Sequence, residues 1–154
     1  MMKNKIFTIL AAGLVLTACE TGNTDSQNVS VGRAPAPGTA EDFKANIRDR
    51  VFFGFDKSVV SSEAKKTLEA QAAWLKTHSA TTATVEGHAD ARGTREYNLA
   101  LGARRAEAAK SGLAAMGVDA NRLKTISYGK DRPQAVGTTE EVYAQNRVAV
   151  TVIN

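Results

Sequence analysis

An arginine on the apolar face of a predicted helix is the first feature of the sequence that could do chemistry. A projection at about 100° per residue places Arg105 beside Leu101, Ala108, Gly112 and Met116. A guanidinium that faces a core is costly unless it meets an anionic partner or a mouth open to a ligand. The pattern therefore predicts an ion pair or an anion-binding site around Arg105.

A carboxylate lies nearby in the sequence. Asp90 ends the alternating segment from Thr81 to Asp90, which is typical of a strand, and only a short loop separates it from the helix of Arg105. We therefore expect Asp90 to be the partner of Arg105. Asn98 lies two turns before Arg105, within about 20° of it on the helix projection. Ion pairs of this kind are also common in purely structural roles, so the pair alone does not decide the function.

A metal-dependent hydrolase is the enzyme alternative. Glu86, His88 and Asp90 project from one face of the same predicted strand, and all three are metal-ligating residue types. Three successive ligands on one flat strand splay apart, however, and His78 lies in a different segment. This favours a binding module with no catalytic residue, metal or cofactor. In this interpretation, His88 is a hydrogen-bonding residue that orients the turn.

The single cysteine follows a segment typical of export. Two lysines within Met1–Lys5 precede an apolar run from Ile6 to Leu16 that is too short to span a bilayer comfortably, and Cys19 comes directly after small residues. This resembles a bacterial lipoprotein signal, in which the cysteine is acylated before cleavage. We expect residues 1–18 to be the signal peptide and Cys19 to carry the lipid; a secretory signal with an incidental cysteine is the alternative. Because Glu20 is not aspartate, the resemblance implies the outer membrane.

The remaining composition indicates a linker followed by one folded domain. Residues 19–40 are rich in small and polar residues and in proline, which is typical of a flexible linker, and residues 41–154 are the length of a single domain. Hydrophobic residues make up 43% of the chain and charged residues 23%, as in soluble globular proteins. The formal charge of +4 is too small to predict nucleic-acid binding, and two of the lysines lie in the signal.

The folded segment alternates strand-like and helix-like patterns. The order βαβαβ, a short α and a final β predicts the α+β class, with a small mixed sheet and helices packed on one face. The predicted elements are the strand Val51–Phe55, a helix capped by Ser62 with Ala64, Leu68, Ala72 and Leu75 on one face, the strand Thr81–Asp90, the helix Arg95–Met116 ended by Gly117, the strand Leu123–Tyr128, the short helix Thr138–Asn146 and the strand Val148–Ile153.

Several motifs in this segment resemble one known family. The run Gly87-His88-Ala89-Asp90-Ala91-Arg92-Gly93-Thr94, with Glu96-Tyr97-Asn98, Leu101-Gly102 and Arg104-Arg105-Ala106 after it, is similar to the core signature of OmpA-like peptidoglycan-binding domains. Phe53-Gly54-Phe55-Asp56, Ser127-Tyr128-Gly129-Lys130 and Asn146-Arg147 also match, in family order and spacing. One departure is visible, because many members have a second arginine where this sequence has Val148.

The resemblance implies a ligand and a set of site residues. In this family an aspartate at the end of the central strand and an arginine on the next helix hold the diaminopimelate of the wall's stem peptide; these positions correspond to Asp90 and Arg105. The ligand ends in a carbon that bears both an ammonium and a carboxylate, so Arg105 can bind the carboxylate bidentately while Asp90 takes the ammonium. Asn98 would add a neutral hydrogen bond, and Phe55 with Asp56 would border the pocket.

The resemblance also implies partners and a location. Lipid-anchored members of the family link the outer membrane to peptidoglycan from the periplasmic side, and they also dock the periplasmic TolB protein of the Tol system, which serves envelope integrity and cell division. We therefore expect peptidoglycan and a TolB-like protein as partners, and no nucleic acid. Docking of TolB as the chief role stays open as an alternative.

Overall fold

The computed structural model describes residues 34–154, which fold into four α-helices and four strands. The predicted signal peptide and Cys19 lie outside the described residues, as does most of the predicted linker. In chain order the elements are α1 (Ala40–Asn46), β1 (Arg50–Phe52), α2 (Ser62–Thr77), β2 (Ala83–His88), α3 (Arg95–Ala115), a 3-10 turn (Ala120–Arg122), β3 (Leu123–Gly129), α4 (Glu140–Asn146) and β4 (Val148–Ile153).

The four strands form one mixed sheet in the order β1-β4-β2-β3. The last strand, β4, is inserted between β1 and β2 and is antiparallel to both, whereas β2 and β3 are parallel. One hydrophobic core joins a face of this sheet to the helices, since Val85 and Ala149 from the sheet cluster with Leu68 of α2 and Leu113 of α3. The predicted α+β class and the predicted mixed sheet are therefore confirmed.

Local signals account for most helix and strand boundaries. The side chain of Ser61, one residue before the predicted cap, accepts a hydrogen bond from the Ala64 amide and begins α2. Gly117 follows the end of α3 with a φ of +94°, a left-handed conformation that glycine adopts without strain. The predicted first strand is shorter than expected, because the chain leaves the sheet after Phe52.

None of the helices within residues 34–154 has both the length and the apolar character needed to cross a bilayer.

The sequence pattern missed one helix and shifted the buried face of another. Helix α1 begins after the cap Thr39, at the end of the predicted linker, and buries Phe43 in the core. On α3 the buried residues include Arg105, as expected, but Ala108 and Gly112 are only partly covered. The actual core-facing line of α3 runs through Gly102, Ala106, Ala109 and Leu113.

A contact between two glycines determines how closely α3 packs on the sheet. A Cβ atom placed on Gly87 of β2 would lie 1.8 Å from the carbonyl oxygen of Gly102 on α3. Only glycine at position 87 permits this approach of the two backbones. The close packing places the Arg105 side chain beneath the end of β2, where the chain turns toward Asp90.

Candidate ligand-binding site

A cavity of about 180 Å³ opens where the end of β2, the first half of α3 and the loop after β1 meet. All five residues that the sequence predicts for the pocket lie in its wall. Four further lining residues carried no predicted role. The complete lining is Phe55, Asp56, Asp90, Arg92, Gly93, Tyr97, Asn98, Leu101 and Arg105.

Arg105 lines this cavity and is fully buried. Its Nε donates to the carbonyl oxygen of Lys57 over 2.8 Å, Nη1 donates to that of His88 over 2.8 Å, and Nη2 donates to that of Gly54 over 3.2 Å. The prediction that Asp90 is its direct ion-pair partner is therefore wrong. The sequence pattern could not show that three backbone carbonyls converge there and satisfy the guanidinium instead.

The protonation and hydrogen-bonding capacity of Arg105 suit it to bind an anion. Burial lowers the pKa of Arg105 to about 10, while the negative charge of Asp90 opposes that shift. The guanidinium is therefore charged at neutral pH. A guanidinium has five N–H donors, and the three carbonyl contacts engage three of them, so two are not used by these carbonyls.

Asp90 is also buried, with 5% of its surface exposed, but its partners are two other arginines. Arg92 approaches side-on, with Nε 3.2 Å from Oδ1 and Nη2 2.6 Å from Oδ2. Arg147 adds a longer contact of 3.4 Å to Oδ2. Burial raises the pKa of the Asp90 carboxyl, but the hydrogen bonds and charge of Arg92 and the hydrogen bond from Arg147 together outweigh burial, and the pKa lies below its usual value. Asp90 is therefore ionised at neutral pH.

Glu140, at the start of α4, joins the two arginines into a closed ring of alternating charges. One of its oxygens lies 3.3 Å from Nη1 of Arg92, and the other lies 2.8 Å from Nη1 of Arg147. Arg147 also donates from Nε to the carbonyl oxygen of Phe53. Arg92 and Arg147 both lie within sequence motifs that resemble the family, and these motifs could have identified them as site residues. Glu140 carried no such signal.

Asn98 anchors the loop between β2 and α3. Its amide nitrogen donates to the carbonyl oxygens of Arg92 over 2.7 Å and Thr94 over 3.0 Å. Within residues 34–154 its amide oxygen accepts no hydrogen bond, yet every fully buried side-chain polar atom there has a partner. This oxygen therefore keeps a small solvent exposure, and Asn98 is one of the residues that line the cavity. The predicted neutral hydrogen bond from Asn98 to a ligand stays a prediction.

Aromatic rings form the rim of the cavity. Phe55 is 58% exposed, and the Arg92 guanidinium lies 4.3 Å from the centroid of its ring. Tyr97, which is also exposed, donates its hydroxyl proton to Asp56, and this hydrogen bond raises the pKa of Tyr97. Asp56 has a φ of +56°, an unusual backbone conformation for a residue other than glycine. The rim thus combines exposed aromatic surface with one exposed carboxylate.

The three residues of the metal alternative are not arranged around a common point. Nδ1 of His88 lies 2.9 Å from the carbonyl oxygen of Arg132, and Nε2 lies 3.9 Å from Glu86. Burial lowers the pKa of His88. Asp90 is engaged by the arginines instead. In the part of the chain that the structure describes, no cluster of three or more His, Cys, Asp or Glu residues could hold a metal ion.

Comparison with known proteins places the chain in a family. Residues 52–147 match the OmpA family. A relative from Mesorhizobium japonicum named peptidoglycan-associated lipoprotein is 47% identical over 99% of this chain and 93% of its own length. The chain belongs to the OmpA family, among the peptidoglycan-associated lipoproteins. A member of that group from Brucella melitensis is 52% identical over 79% of this chain and 72% of its own.

Solved structures with the same fold include one from a peptidoglycan-associated lipoprotein and one from a more distant protein. The crystal structure of the peptidoglycan-associated lipoprotein from Burkholderia pseudomallei has a TM-score of 0.67 and 39% identity, covering 70% of this chain and 91% of its own. The C-terminal domain of MotB from Helicobacter pylori has a TM-score of 0.65 at 21% identity, covering 70% of this chain and 84% of its own, and shows the shared fold alone. The names of these relatives describe association with peptidoglycan or no ligand at all, and none describes an enzyme.

Proposed function

We propose that this domain binds peptidoglycan noncovalently by holding the free end of diaminopimelate in the cavity. The observation that carries the proposal is the presence of two buried, oppositely charged groups, Arg105 and Asp90, in the wall of one small cavity. The two remaining N–H groups of Arg105 bind the ligand carboxylate, and Asp90 binds the ligand ammonium. Asn98 supplies its accessible amide oxygen to the same ammonium.

The chemistry of the site favours a ligand end that carries both charges. A simple anion would satisfy Arg105 and leave Asp90 unchanged, whereas a simple cation would do the reverse. Transfer of a charged group into a poorly solvated cavity is favourable only when the group finds a charged or hydrogen-bonding partner there. Diaminopimelate, unlike lysine, carries both a carboxylate and an ammonium on its free end, so the pairing selects for it.

The experiment that tests this proposal varies the ligand and leaves the protein unchanged. Purified walls with diaminopimelate stem peptides and walls with lysine stem peptides would be sedimented with the protein at equal mass. The protein is expected to sediment with the diaminopimelate walls only, and free diaminopimelate is expected to release it while free lysine does not. Equal sedimentation with both walls would contradict the proposed site, and no sedimentation with either would contradict peptidoglycan binding.

The proposed location is the outer membrane, with the domain facing the periplasm and Cys19 carrying the lipid. The proposal rests on the sequence before Cys19 and on the relatives, which are named lipoproteins. A lipid at Cys19 and a wall-binding domain at the other end of the chain would link the membrane to the peptidoglycan. We assign the protein on the same grounds to the Tol-Pal system, with roles in envelope integrity and cell division.

Docking of a TolB-like periplasmic protein is the second candidate function. The observation that favours it is the exposed aromatic rim, since Phe55 and Tyr97 are 58% and 46% exposed beside the cavity, and aromatic residues are enriched where protein interfaces gain most of their binding energy. A surface that includes this rim would overlap the wall site. A soluble stem peptide ending in diaminopimelate is then expected to reduce binding of the purified TolB-like protein; unchanged binding at a saturating peptide concentration would contradict the overlap.

A further inference from the structure

The hydrogen-bonding capacity of Asp90 is filled by the protein itself. Oδ1 accepts from the backbone N–H and from Nε of Arg92, at 3.1 and 3.2 Å. Oδ2 accepts from Nη2 of Arg92 at 2.6 Å and from Nη1 of Arg147 at 3.4 Å. A carboxylate offers about four lone-pair positions to donors, so no position remains for a ligand ammonium. A ligand that binds Asp90 must therefore displace one of these groups.

Differences in burial identify the group that can leave. The Arg92 side chain is 37% exposed, whereas that of Arg147 is 9% exposed and also holds the carbonyl of Phe53. Arg105 is fully buried and bonded to three carbonyls. Movement of Arg147 or Arg105 would break hydrogen bonds to the backbone carbonyls around the cavity. Movement of the Arg92 side chain would break none of these. The backbone of Arg92 stays in place because its N–H binds Asp90 and its carbonyl accepts from Asn98.

Arg92 also has other partners that remain after it leaves Asp90. Its Nη1 lies 3.3 Å from Glu140, whose side chain is 60% exposed. Its guanidinium carbon lies 4.3 Å from the centroid of the Phe55 ring and 4.5 Å from that of Tyr143. Cation-π contacts and an exposed ion pair tolerate small rotations of the side chain better than a side-on carboxylate pair does. The guanidinium can therefore move toward Glu140 without losing every favourable contact.

We infer that Arg92 occupies the place of the ligand's ammonium on Asp90, and that the ligand binds by exchanging its own cation for this guanidinium. This inference deepens the proposed function and rests on it. Arg92 is then a specificity-determining residue, because a ligand without a cation next to its carboxylate cannot complete the exchange. In the absence of ligand, the negative charge of Asp90 is balanced by Arg92, and in the complex it would be balanced by the ligand ammonium.

Substitution of Arg92 by alanine changes ligand affinity in a direction that depends on the role of the Arg92 side chain. If Arg92 blocks Asp90, Arg92→Ala removes a competitor and strengthens binding; if Arg92 contacts the ligand directly, the same change weakens binding. Binding of a soluble disaccharide peptide ending in diaminopimelate would be measured by titration calorimetry with the full-length protein. We expect Arg92→Ala to bind about two- to fivefold more tightly than the wild type, the range that corresponds to breaking one partly exposed ion pair.

The matched control is Arg95→Ala. Arg95 is the first residue of α3, is exposed, and pairs with Asp131 at 2.7 Å outside the cavity wall. Both variants lose one positive charge, so the comparison removes any general effect of net charge on a charged ligand. Arg95→Ala is expected to bind as the wild type does. Arg92→Ala binding no more tightly than Arg95→Ala would overturn the inference.

A second measurement follows the exchange in the unaltered protein. The Nε–H group of Arg92 is hydrogen-bonded to Asp90 in the free protein, so its NMR signal is expected to shift and to lose protection from solvent exchange when the peptide is added. The Nε–H signal of Arg95 is expected to stay unchanged. If the peptide binds and the Arg92 signal does not respond, the exchange does not occur. If neither the wild type nor either variant binds the peptide or the wall, the proposed function itself fails.

Discussion

Nη1 of Arg105 donates a 2.8 Å hydrogen bond to the backbone carbonyl of His88, the last residue of β2. A side chain from α3 thus provides the hydrogen-bond donor for the last carbonyl of β2. The same guanidinium also donates to the carbonyls of Lys57 and Gly54 in the loop after β1. The residue proposed to bind the ligand is therefore also a structural support for the cavity. A substitution of Arg105 is therefore expected to affect both ligand binding and the stability of the fold.

Substitution of Arg105 is expected to destabilise the fold as well as to remove ligand binding. Arg105→Met removes the guanidinium donors from three carbonyl groups, of which that of Gly54 keeps a second donor, the Lys57 amide; each buried carbonyl left without any donor costs about 1–3 kcal/mol. We expect a loss of about 3 kcal/mol or more in the free energy of unfolding, measured by urea denaturation. Arg104→Met is the control, because Arg104 is exposed on the same helix. Equal stabilities of the two variants would contradict the supporting role of Arg105.

Asp90 is expected to make stability depend on pH in the acid range. Its folded pKa lies below the unfolded value of 3.8, so its contribution is fully present above about pH 4 and is lost as the pH falls through the lower folded pKa. Asp90→Asn is expected to lower the free energy of unfolding by about 1–3 kcal/mol at pH 7, since Arg92 and Arg147 lose their shared charge. The difference from the wild type is expected to shrink on acidification.

The control for Asp90 is Asp131→Asn, which removes a carboxylate from the exposed pair with Arg95. Urea unfolding at several pH values would compare the three proteins. A constant difference between Asp90→Asn and the wild type from pH 7 down to pH 2 would show that ionisation of Asp90 does not contribute to stability. Other carboxyl groups with lowered pKa values, such as Asp42, are present in all three proteins and cancel in the comparison.

Residue patterns were sufficient to predict the sheet and the two long helices. The buried positions Ala64, Leu68, Ala72 and Leu75 recur at helical spacing, and β4 coincides with a run of β-branched residues interrupted only by Ala149, so local sequence and burial agree there. The burial of Arg105 was predicted for the same reason. Helix α1 was missed because its seven residues contain one buried apolar side chain, Phe43, and a single position has no periodicity.

The contacts inside the site could not be read from the sequence. Arg92 and Arg105 are both arginines near Asp90, and spacing alone favoured Arg105 as the partner. The pairing is decided by distances between elements far apart in the chain, since Arg105 bonds to Gly54 and Lys57 and Arg147 reaches Asp90 from the start of β4. The position of Arg147, at the start of β4, depends on the insertion of β4 between β1 and β2, which the pattern of elements does not specify.

Gly87 is expected to tolerate no side chain. The Cβ of Gly87→Ala would lie 1.8 Å from the Gly102 carbonyl oxygen, a backbone atom that cannot move without shifting α3. We expect a loss of about 3 kcal/mol or more in the free energy of unfolding, because overpacking against backbone has no flexible side chain to relieve it. Gly54→Ala is the control, since its Cβ would meet only the flexible Lys57 side chain, at 3.2 Å. A small effect at position 87, comparable with that at position 54, would contradict the close packing of α3 on β2.

Cys19 is expected to be the sole attachment of the protein to membranes. Cys19→Ser removes the thiol that would be acylated, so the variant is expected to move from the membrane fraction and the detergent phase to the aqueous phase. The double variant Cys19→Ser, Ser30→Cys is the control, because it restores one thiol to the predicted linker outside the signal. We expect it to remain aqueous. Membrane partitioning of either variant at the wild-type level would contradict lipidation at Cys19.

Phe43 is expected to hold α1 against the remainder of the domain. It is 1% exposed and its ring contacts that of Trp74 edge-on at a centroid distance of 4.9 Å, while Trp74 donates its indole N–H to Asp42 over 3.1 Å. Phe43→Ala is expected to cost about 3 kcal/mol or more, the usual range for truncation of a buried phenylalanine. It is also expected to shift the fluorescence of Trp74, the only tryptophan, to longer wavelength as the indole becomes exposed. Phe52→Ala, which truncates a phenylalanine that is 49% exposed, is the matched control, and an equal fluorescence shift in both variants would show that α1 does not depend on Phe43.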